Sequence, residues 1–269
     1  MGINIVDTTL RDGEQKAGIA LSVDDKVEIA KLISEMGVYQ IEAGIPAMGG
    51  DEKLSVTKIA ALGLKSKIAA WNRMSTEDID TSIECGVDII HISSPVSDLQ
   101  IKSKLEKDRT WIIENLKKSV AYAKDKGYDV TVGLEDSSRA DLDFFIKLCK
   151  MVYDLGVERV RYADTVGIME PKELFNQIKR IRNAVPIDIE IHIHNDFGMA
   201  IANSLAAIEA GAKYADCTIT GMGERAGNCD FSKFAKVIYE LTGEKLWHGK
   251  FEDLIEKEQQ IKKIIKLDQ

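Results

Sequence analysis

The sequence predicts a single closed (β/α)8 TIM barrel followed by a short helical tail, and three observations carry that expectation. First, helical segments end repeatedly in glycine followed by a small apolar residue, at Met36-Gly-Val38, Cys85-Gly-Val87, Leu155-Gly-Val157 and Ala210-Gly-Ala212, and a β-rich run begins at once. Glycine there supplies the left-handed residue that terminates a helix. Second, eight apolar runs, near 3–6, 39–43, 67–71, 88–93, 129–134, 158–163, 187–193 and 214–219, alternate with amphipathic stretches. Third, no glycine-rich phosphate turn follows the first run, as an open doubly wound sheet would more often carry.

Each unit then takes its place in order. The run Ile3–Val6 leads into Asp7, Arg11 and Asp12, and the helical stretch after it carries Val27, Ile29, Ala30, Ile33 and Met36 with charges between them. The second run ends in Glu42, the third in Asn72 and Arg73, the fourth in His91, Ser93 and Ser94. The fifth ends in Glu135 and Asp136, the sixth in Asp164 and Thr165, with Leu174, Ile178 and Ile181 marking the apolar face of the next helix. The seventh ends in His192, His194, Asn195 and Asp196, and the eighth enters Gly221-Met-Gly-Glu-Arg-Ala-Gly-Asn228. Residues 1–241 form the expected catalytic barrel and 242–269 a helical extension. A helix of roughly 253–267 is expected there, with Trp247, Phe251, Leu254, Ile255, Ile261, Ile264 and Ile265 suited to an interface or to sealing the barrel floor.

Composition excludes several functions. The chain has 269 residues, of which 45% are hydrophobic and 30% charged, enough to bury a large core and coat a surface. Its 44 acidic residues outnumber 36 basic ones, for a net charge of −8, and no basic track suits a phosphate backbone. No apolar run approaches the ~20 residues of a membrane helix. These features predict a cytoplasmic protein without nucleic-acid or membrane partners. Cys85, Cys149, Cys217 and Cys229 lack paired zinc-knuckle spacing, which suggests reduced thiols.

Polar residues gathered at the C-terminal ends of barrel strands mark the expected active site. His192 and His194 stand two apart, so on a strand both imidazoles face the same side. With a carboxylate from the first strand, Asp12, and a side-chain amide, they would make a mixed nitrogen and oxygen site for a divalent ion with positions open to substrate. The bland alternative is a hydrogen-bonded pair of barrel histidines. Arg11 is suited to stabilising charge on an enolate or tetrahedral oxygen; otherwise it forms an ion pair at the barrel mouth with Asp7 or Glu14. Glu135 is assigned to the site, and Asp136, followed by Ser137, Ser138 and Arg139, to a helix N-cap.

Four motifs, Asp7-Thr-Thr-Leu-Arg-Asp-Gly-Glu-Gln15, Glu42-Ala-Gly44, His192-Ile-His194-Asn-Asp196 and Gly221-Met-Gly-Glu-Arg-Ala-Gly-Asn228, together resemble the catalytic barrel of the 2-isopropylmalate synthase and homocitrate synthase family over about 240 residues. Ser94-Pro-Val-Ser-Asp98 and Gly133-Leu-Glu-Asp-Ser-Ser-Arg139 look most like the homocitrate synthases of nitrogen fixation, which make the organic ligand of the nitrogenase cofactor. The resemblance implies a Claisen condensation of acetyl-CoA with a 2-oxo acid, 2-oxoglutarate for homocitrate, followed by thioester hydrolysis. It implies Asp12, His192 and His194 as metal ligands with Asn228 as a fourth, the ion being magnesium, manganese, iron or zinc. Arg11 and Glu135 are implied as catalytic residues, and Gln15, His91 and Thr165 as substrate-binding residues.

The sequence departs from the family pattern twice. Full synthases continue into a helical region that supplies a histidine and a tyrosine to a partner's active site, whereas this sequence reaches only Gln269; it resembles the barrel subunit of a split enzyme that needs a second chain. Lysine-pathway homocitrate synthases place an arginine on the fifth strand for the distal carboxylate of 2-oxoglutarate; here Thr131 and Gly133 stand nearby, leaving Arg73 or Arg161 as substitutes and citramalate or isopropylmalate synthesis open. Rival readings are a hydroxymethylglutaryl-CoA lyase, for which Cys229 would be the catalytic thiol, another metal-dependent aldolase, and a non-catalytic subunit.

Overall fold

A computed structural model gives the fold and describes residues 2–266. Eight parallel strands close into a barrel in sequence order: β1 (Asn4–Asp7), β2 (Gln40–Glu42), β3 (Lys67–Asn72), β4 (Ile89–Pro95), β5 (Asp129–Glu135), β6 (Arg159–Asp164), β7 (Asp188–Ile193) and β8 (Tyr214–Cys217). Closure is made by β1 on β8, with Asn4 opposite Tyr214 and Asp7 opposite Cys217. Helices α1 (Val23–Met36), α2 (Gly50–Ala60), α3 (Thr76–Glu84), α4 (Asp98–Leu105), α5 (Arg109–Asp125), α6 (Leu142–Asp154), α7 (Pro171–Ala184), α8 (Ala200–Glu209) and α9 (Phe231–Thr242) surround it. The strand boundaries expected from sequence shift by a residue or two at most ends.

Local chemistry explains the boundaries. Ser22 caps α1 in a capping box with Asp25, and Gly37 ends it at φ +95°. Gly37 tolerates no side chain for a second reason: a Cβ would lie 2.7 Å from the His248 ring, whose backbone N–H donates to the Met36 carbonyl at 2.8 Å. His248 thus fastens the chain end to the α1 terminus. The core lies between barrel and helices, with Ile29, Ile33, Ile59, Ile79, Leu116, Leu148, Ile178 and Phe234 all fully buried.

The C-terminal helix α10 (Phe251–Ile265) begins two residues before the expected start, and Leu267, its expected end, lies outside the described residues. It packs against α1, and Phe251 at its start meets Trp247 at 5.1 Å between ring centroids. Leu254, Ile261 and Ile265 are buried against the body of the protein. The apolar face expected to serve an interface is therefore occupied internally. Floor contacts come from the segment before the helix: Glu244 accepts from the Ile3 N–H at 2.9 Å.

Truncating Ile261, which is fully buried, is expected to lower the unfolding free energy by about 2–4 kcal/mol through lost burial and a residual cavity. Urea titration of Ile261→Ala followed by circular dichroism measures this, and an unchanged midpoint would contradict the docking of α10.

Candidate active site

At the C-terminal mouth of the barrel a cavity of about 280 Å³ is lined by Arg11, Asp12, Gln15, His91, Ser93, Lys104, Glu135, Arg161, Thr165, His192 and His194, among others. Asp12 leaves β1 through a loop in which the Thr8 carbonyl accepts from the Arg11, Asp12 and Gly13 amides. His192 lies on β7 and His194 just beyond it, in the same-face spacing expected from sequence. Their Nε2 atoms approach to 3.1 Å, and Asp12 Oδ2 lies 3.7 Å from His192 and 4.0 Å from His194. One donor atom from each of these three buried residues falls within 4.8 Å of the others, so the group can hold a metal ion.

The surroundings fit that use. Asn228 donates its amide N–H groups to Asp12 Oδ1 at 2.7 Å and to the Met222 carbonyl at 3.0 Å, leaving Oδ1 buried with no hydrogen-bond partner. An unpartnered amide oxygen beside a carboxylate and two imidazoles is chemically suited to be a fourth ligand of a cation. Two glycines make room: a Cβ at Gly223 would sit 2.1 Å from Asn228 Nδ2, and one at Gly227 2.0 Å from the Gly221 carbonyl. Behind His192, Asp216 Oδ2 lies 3.0 Å from Nδ1, in a contact not straight enough for a full hydrogen bond. That contact biases the proton to Nδ1 and turns the Nε2 lone pair toward the cluster.

Charge states follow from burial and neighbours. Burial alone would raise the Asp12 carboxyl, but Arg11, His192 and His194 overcome it and hold the group below its ordinary range. His194 is pushed down to about 4, by burial and then by His192, so it is neutral and available as a donor. His192 moves the other way, because Asp216 and Asp12 outweigh its burial. His91 is driven well below its usual value, first by burial and then by Arg161, and its Nδ1 contacts Thr131 Oγ1 at 2.8 Å.

Arg11 does form ion pairs, though with neither Asp7 nor Glu14. It binds Asp12 at 2.6 Å and Glu42 at the end of the adjacent strand β2, while Glu14 pairs with Lys26. Arg161 reaches from β6 to Glu42 at 2.6 Å, to Glu190 and to Asp216 at 3.4 Å. Glu135 accepts from Ser93 Oγ at 2.6 Å and from Lys104 Nζ at 2.8 Å. Thr165 Oγ1 accepts from the Asp136 N–H at 2.8 Å, which leaves its hydroxyl hydrogen for another acceptor.

Several expectations need correction. Asp136 does not cap a helix with its side chain; it sits at φ +62° with a buried carboxylate held by Ser97 and bidentately by Arg139. Asp7 turns away from the cavity onto Thr9 and is pushed up to about 7, by burial above all. Arg73 faces solvent in a pair with Asp78, away from the cavity, so it is no substrate cation there. Cys229 is fully buried beside Cys217, which removes its thiol from the cavity. Sequence reading missed Asp216, whose only signal was its alternation with the β8 core, and Lys104, which looks like any charge on a helix.

A barrel with carboxylate and imidazoles converging at its mouth belongs to a defined class, and the chain is a member of the HMGL-like family, whose model matches residues 2–267. It is 81% identical over 268 residues, covering both chains completely, to homocitrate synthase subunit alpha of Clostridium pasteurianum. It is 47% identical over 242 residues to 2-isopropylmalate synthase 2 of Caldanaerobacter subterraneus subsp. tengcongensis and 43% identical over 239 to homocitrate synthase 1 of Nostoc sp.. It spans 63% of each of these longer relatives, and 89% of this chain is matched. Among solved structures, the HMG-CoA lyase of Brucella melitensis superposes with a TM-score of 0.86 at 18% identity over 98% of this chain and 99% of that one, a likeness of fold alone.

Replacing Asp216 by asparagine keeps its shape and removes the charge behind His192. Divalent-metal affinity measured by calorimetry is expected to fall roughly 10- to 100-fold; unchanged affinity would remove Asp216 from the site.

Proposed function

We propose that this chain is the barrel subunit of a two-chain enzyme that condenses acetyl-CoA with 2-oxoglutarate to give homocitrate and CoA. The single observation that carries the reading is the end-to-end 81% identity to a relative named as subunit alpha of a homocitrate synthase. The convergence of Asp12, His192, His194 and Arg11 on one cavity supports it independently. In this reading residues 1–241 are the catalytic barrel and 242–269 an extension, and the second chain completes the acid–base apparatus. A cytoplasmic setting, where acetyl-CoA is made and used, suits the chemistry.

The acetyl methyl loses a proton to a base and its carbon bonds the keto carbon of the acceptor, whose oxygen takes the carbonyl electron pair and a proton; water then cleaves the thioester to a carboxylate and the free CoA thiol. Asp12, His192 and His194, with Asn228 Oδ1 as a fourth donor, would hold the divalent ion, and two imidazoles with one carboxylate would favour manganese, iron or zinc over magnesium. Bound there, the ion supplies Lewis acidity toward the acceptor carbonyl and carboxylate. Arg11, fixed through Nε and Nη1 by Glu42 and Asp12, offers its Nη2 end to the oxygen on which negative charge develops. Thr165 donates its free hydroxyl hydrogen to a substrate carboxylate, and His91 and Gln15 form the polar wall around the acceptor. Glu135, oriented by Ser93, presents the carboxylate assigned to proton handling.

CoA release from acetyl-CoA with divalent metal and a panel of 2-oxo acids tests this, on the chain alone and combined with the second polypeptide. Release specific to 2-oxoglutarate, dependent on the second polypeptide and abolished in His194→Ala, is expected. Equal turnover by the chain alone defeats the two-chain reading, and silence of the assembled pair with every acid defeats the condensation itself. Cys229→Ser should leave kcat/KM unchanged, since the thiol lies outside the cavity; loss of activity with the fold intact would favour a thiol-dependent lyase.

A further inference from the structure

We infer that Lys104 is the residue that selects the acceptor, receiving the distal carboxylate of a dicarboxylic 2-oxo acid at the cavity mouth. The inference rests on the condensation reading and adds to it the group that tells one acceptor from another.

A dicarboxylic 2-oxo acid carries two negative groups into one small cavity. Its 2-oxo end belongs with Asp12, His192 and His194. The far carboxylate must meet a cation or lose its hydration without compensation. Three basic side chains, Arg11, Lys104 and Arg161, line the cavity. Arg161 is 3% exposed and is shared among Glu42, Glu190 and Asp216. Arg11 lies beside the metal-binding group, bound to Asp12 and Glu42. Lys104 differs from both: its side chain is 55% exposed, and it is paired with one carboxylate, that of Glu135, at 2.8 Å. An ammonium has three donors, so this pair leaves two for a ligand.

The setting is a built one. Lys104 lies in the last turn of α4, which is pinned to the barrel by buried Ile101 and capped by Ser97 Oγ accepting from the Gln100 N–H at 3.1 Å. Arg109 binds Asp98 at the start of the same helix with two hydrogen bonds of 2.6 Å. Glu135 is held in turn by Ser93. A half-exposed ion pair contributes little to folding, so stability does not account for aiming a lysine into the cavity. The neighbouring wall of β5 provides no competing cation: at Gly133 a Cβ would already lie 2.5 Å from His91 Nε2. An acceptor with an apolar tail leaves Lys104 on Glu135 and gains nothing from it, whereas a second carboxylate gains a charge-assisted contact.

Calorimetric binding of 2-oxoglutarate and of 2-oxoisovalerate to the manganese-loaded chain separates the two cases without relying on turnover. The unaltered chain is expected to prefer 2-oxoglutarate, and Lys104→Met to lose roughly 10- to 100-fold in affinity for it while binding 2-oxoisovalerate as before. Lys104→Arg should keep most of the preference. In the assembled enzyme the same Met variant should raise KM for 2-oxoglutarate, and Lys104→Arg, which keeps a cation beside Glu135, should bring KM most of the way back. A Met variant that keeps the original preference, or that loses both acids equally, overturns the role of Lys104. If neither the unaltered chain nor the assembled enzyme binds either acid, the condensation reading falls and takes this inference with it, an outcome distinct from the other two.

Discussion

Arg161 lies inside the barrel with its guanidinium shared among Glu42 on β2, Glu190 on β7 and Asp216 on β8, and this buried ion cluster is the constraint on which the site depends. Barrel interiors are ordinarily filled by branched apolar side chains. Here Gln40, Glu42, His91, Arg159, Arg161, Glu190, His192 and Asp216 are all buried at the strands. Arg161 and Glu42 come from strands far apart in the ring, so their 2.6 Å contact ties opposite walls together. Burial works against the charge on Arg161, but Glu190, Glu42 and Asp216 more than offset it and hold the guanidinium charged. Such clusters add little net stability, yet removing one member strands the others, at a cost of about 3–5 kcal/mol.

From that cluster the order propagates outward. Glu42 also holds Arg11, Arg11 holds Asp12, and Asp12 accepts from Asn228. Asp216 supports His192 on one side and takes the Thr8 hydroxyl at 2.6 Å on the other. The candidate metal group, Asp12 with His192 and His194, is therefore the outer end of a chain of charge contacts that starts in the barrel centre. Pre-arranged in this way, the donors need little movement to accept an ion, which is how an interior network becomes catalytic geometry.

The loop after β8 serves the same end by different means. Gly223 and Gly227 let the backbone fold tightly enough to bring Asn228 onto Asp12. Arg225 fastens the loop to Asp196 and to the Thr165 carbonyl. The motif Gly221–Asn228 was visible in the sequence as a functional loop, but its glycines gained meaning only from the atoms they make room for.

The sequence by itself determined the eight-fold alternation, through apolar runs and helix-ending glycines, and the pairing of His192 with His194, because a strand's two-residue period puts both on one face. It also pointed to Asp12 and Arg11 as their companions, since strand ends in this fold gather at one mouth. It could not determine which charge meets which. Arg11 and Glu42 are 31 residues apart, and Arg161 and Glu42 are 119 apart. Asp136 reads locally as a helix cap, yet Ser97 and Arg139 claim its carboxylate. Asp216 and Lys104 carry no local signature at all, because their importance comes from neighbours that only closure of the ring supplies. Local periodicity is written in adjacent residues, whereas electrostatic partnership is decided by distance through space, and that exists only after folding.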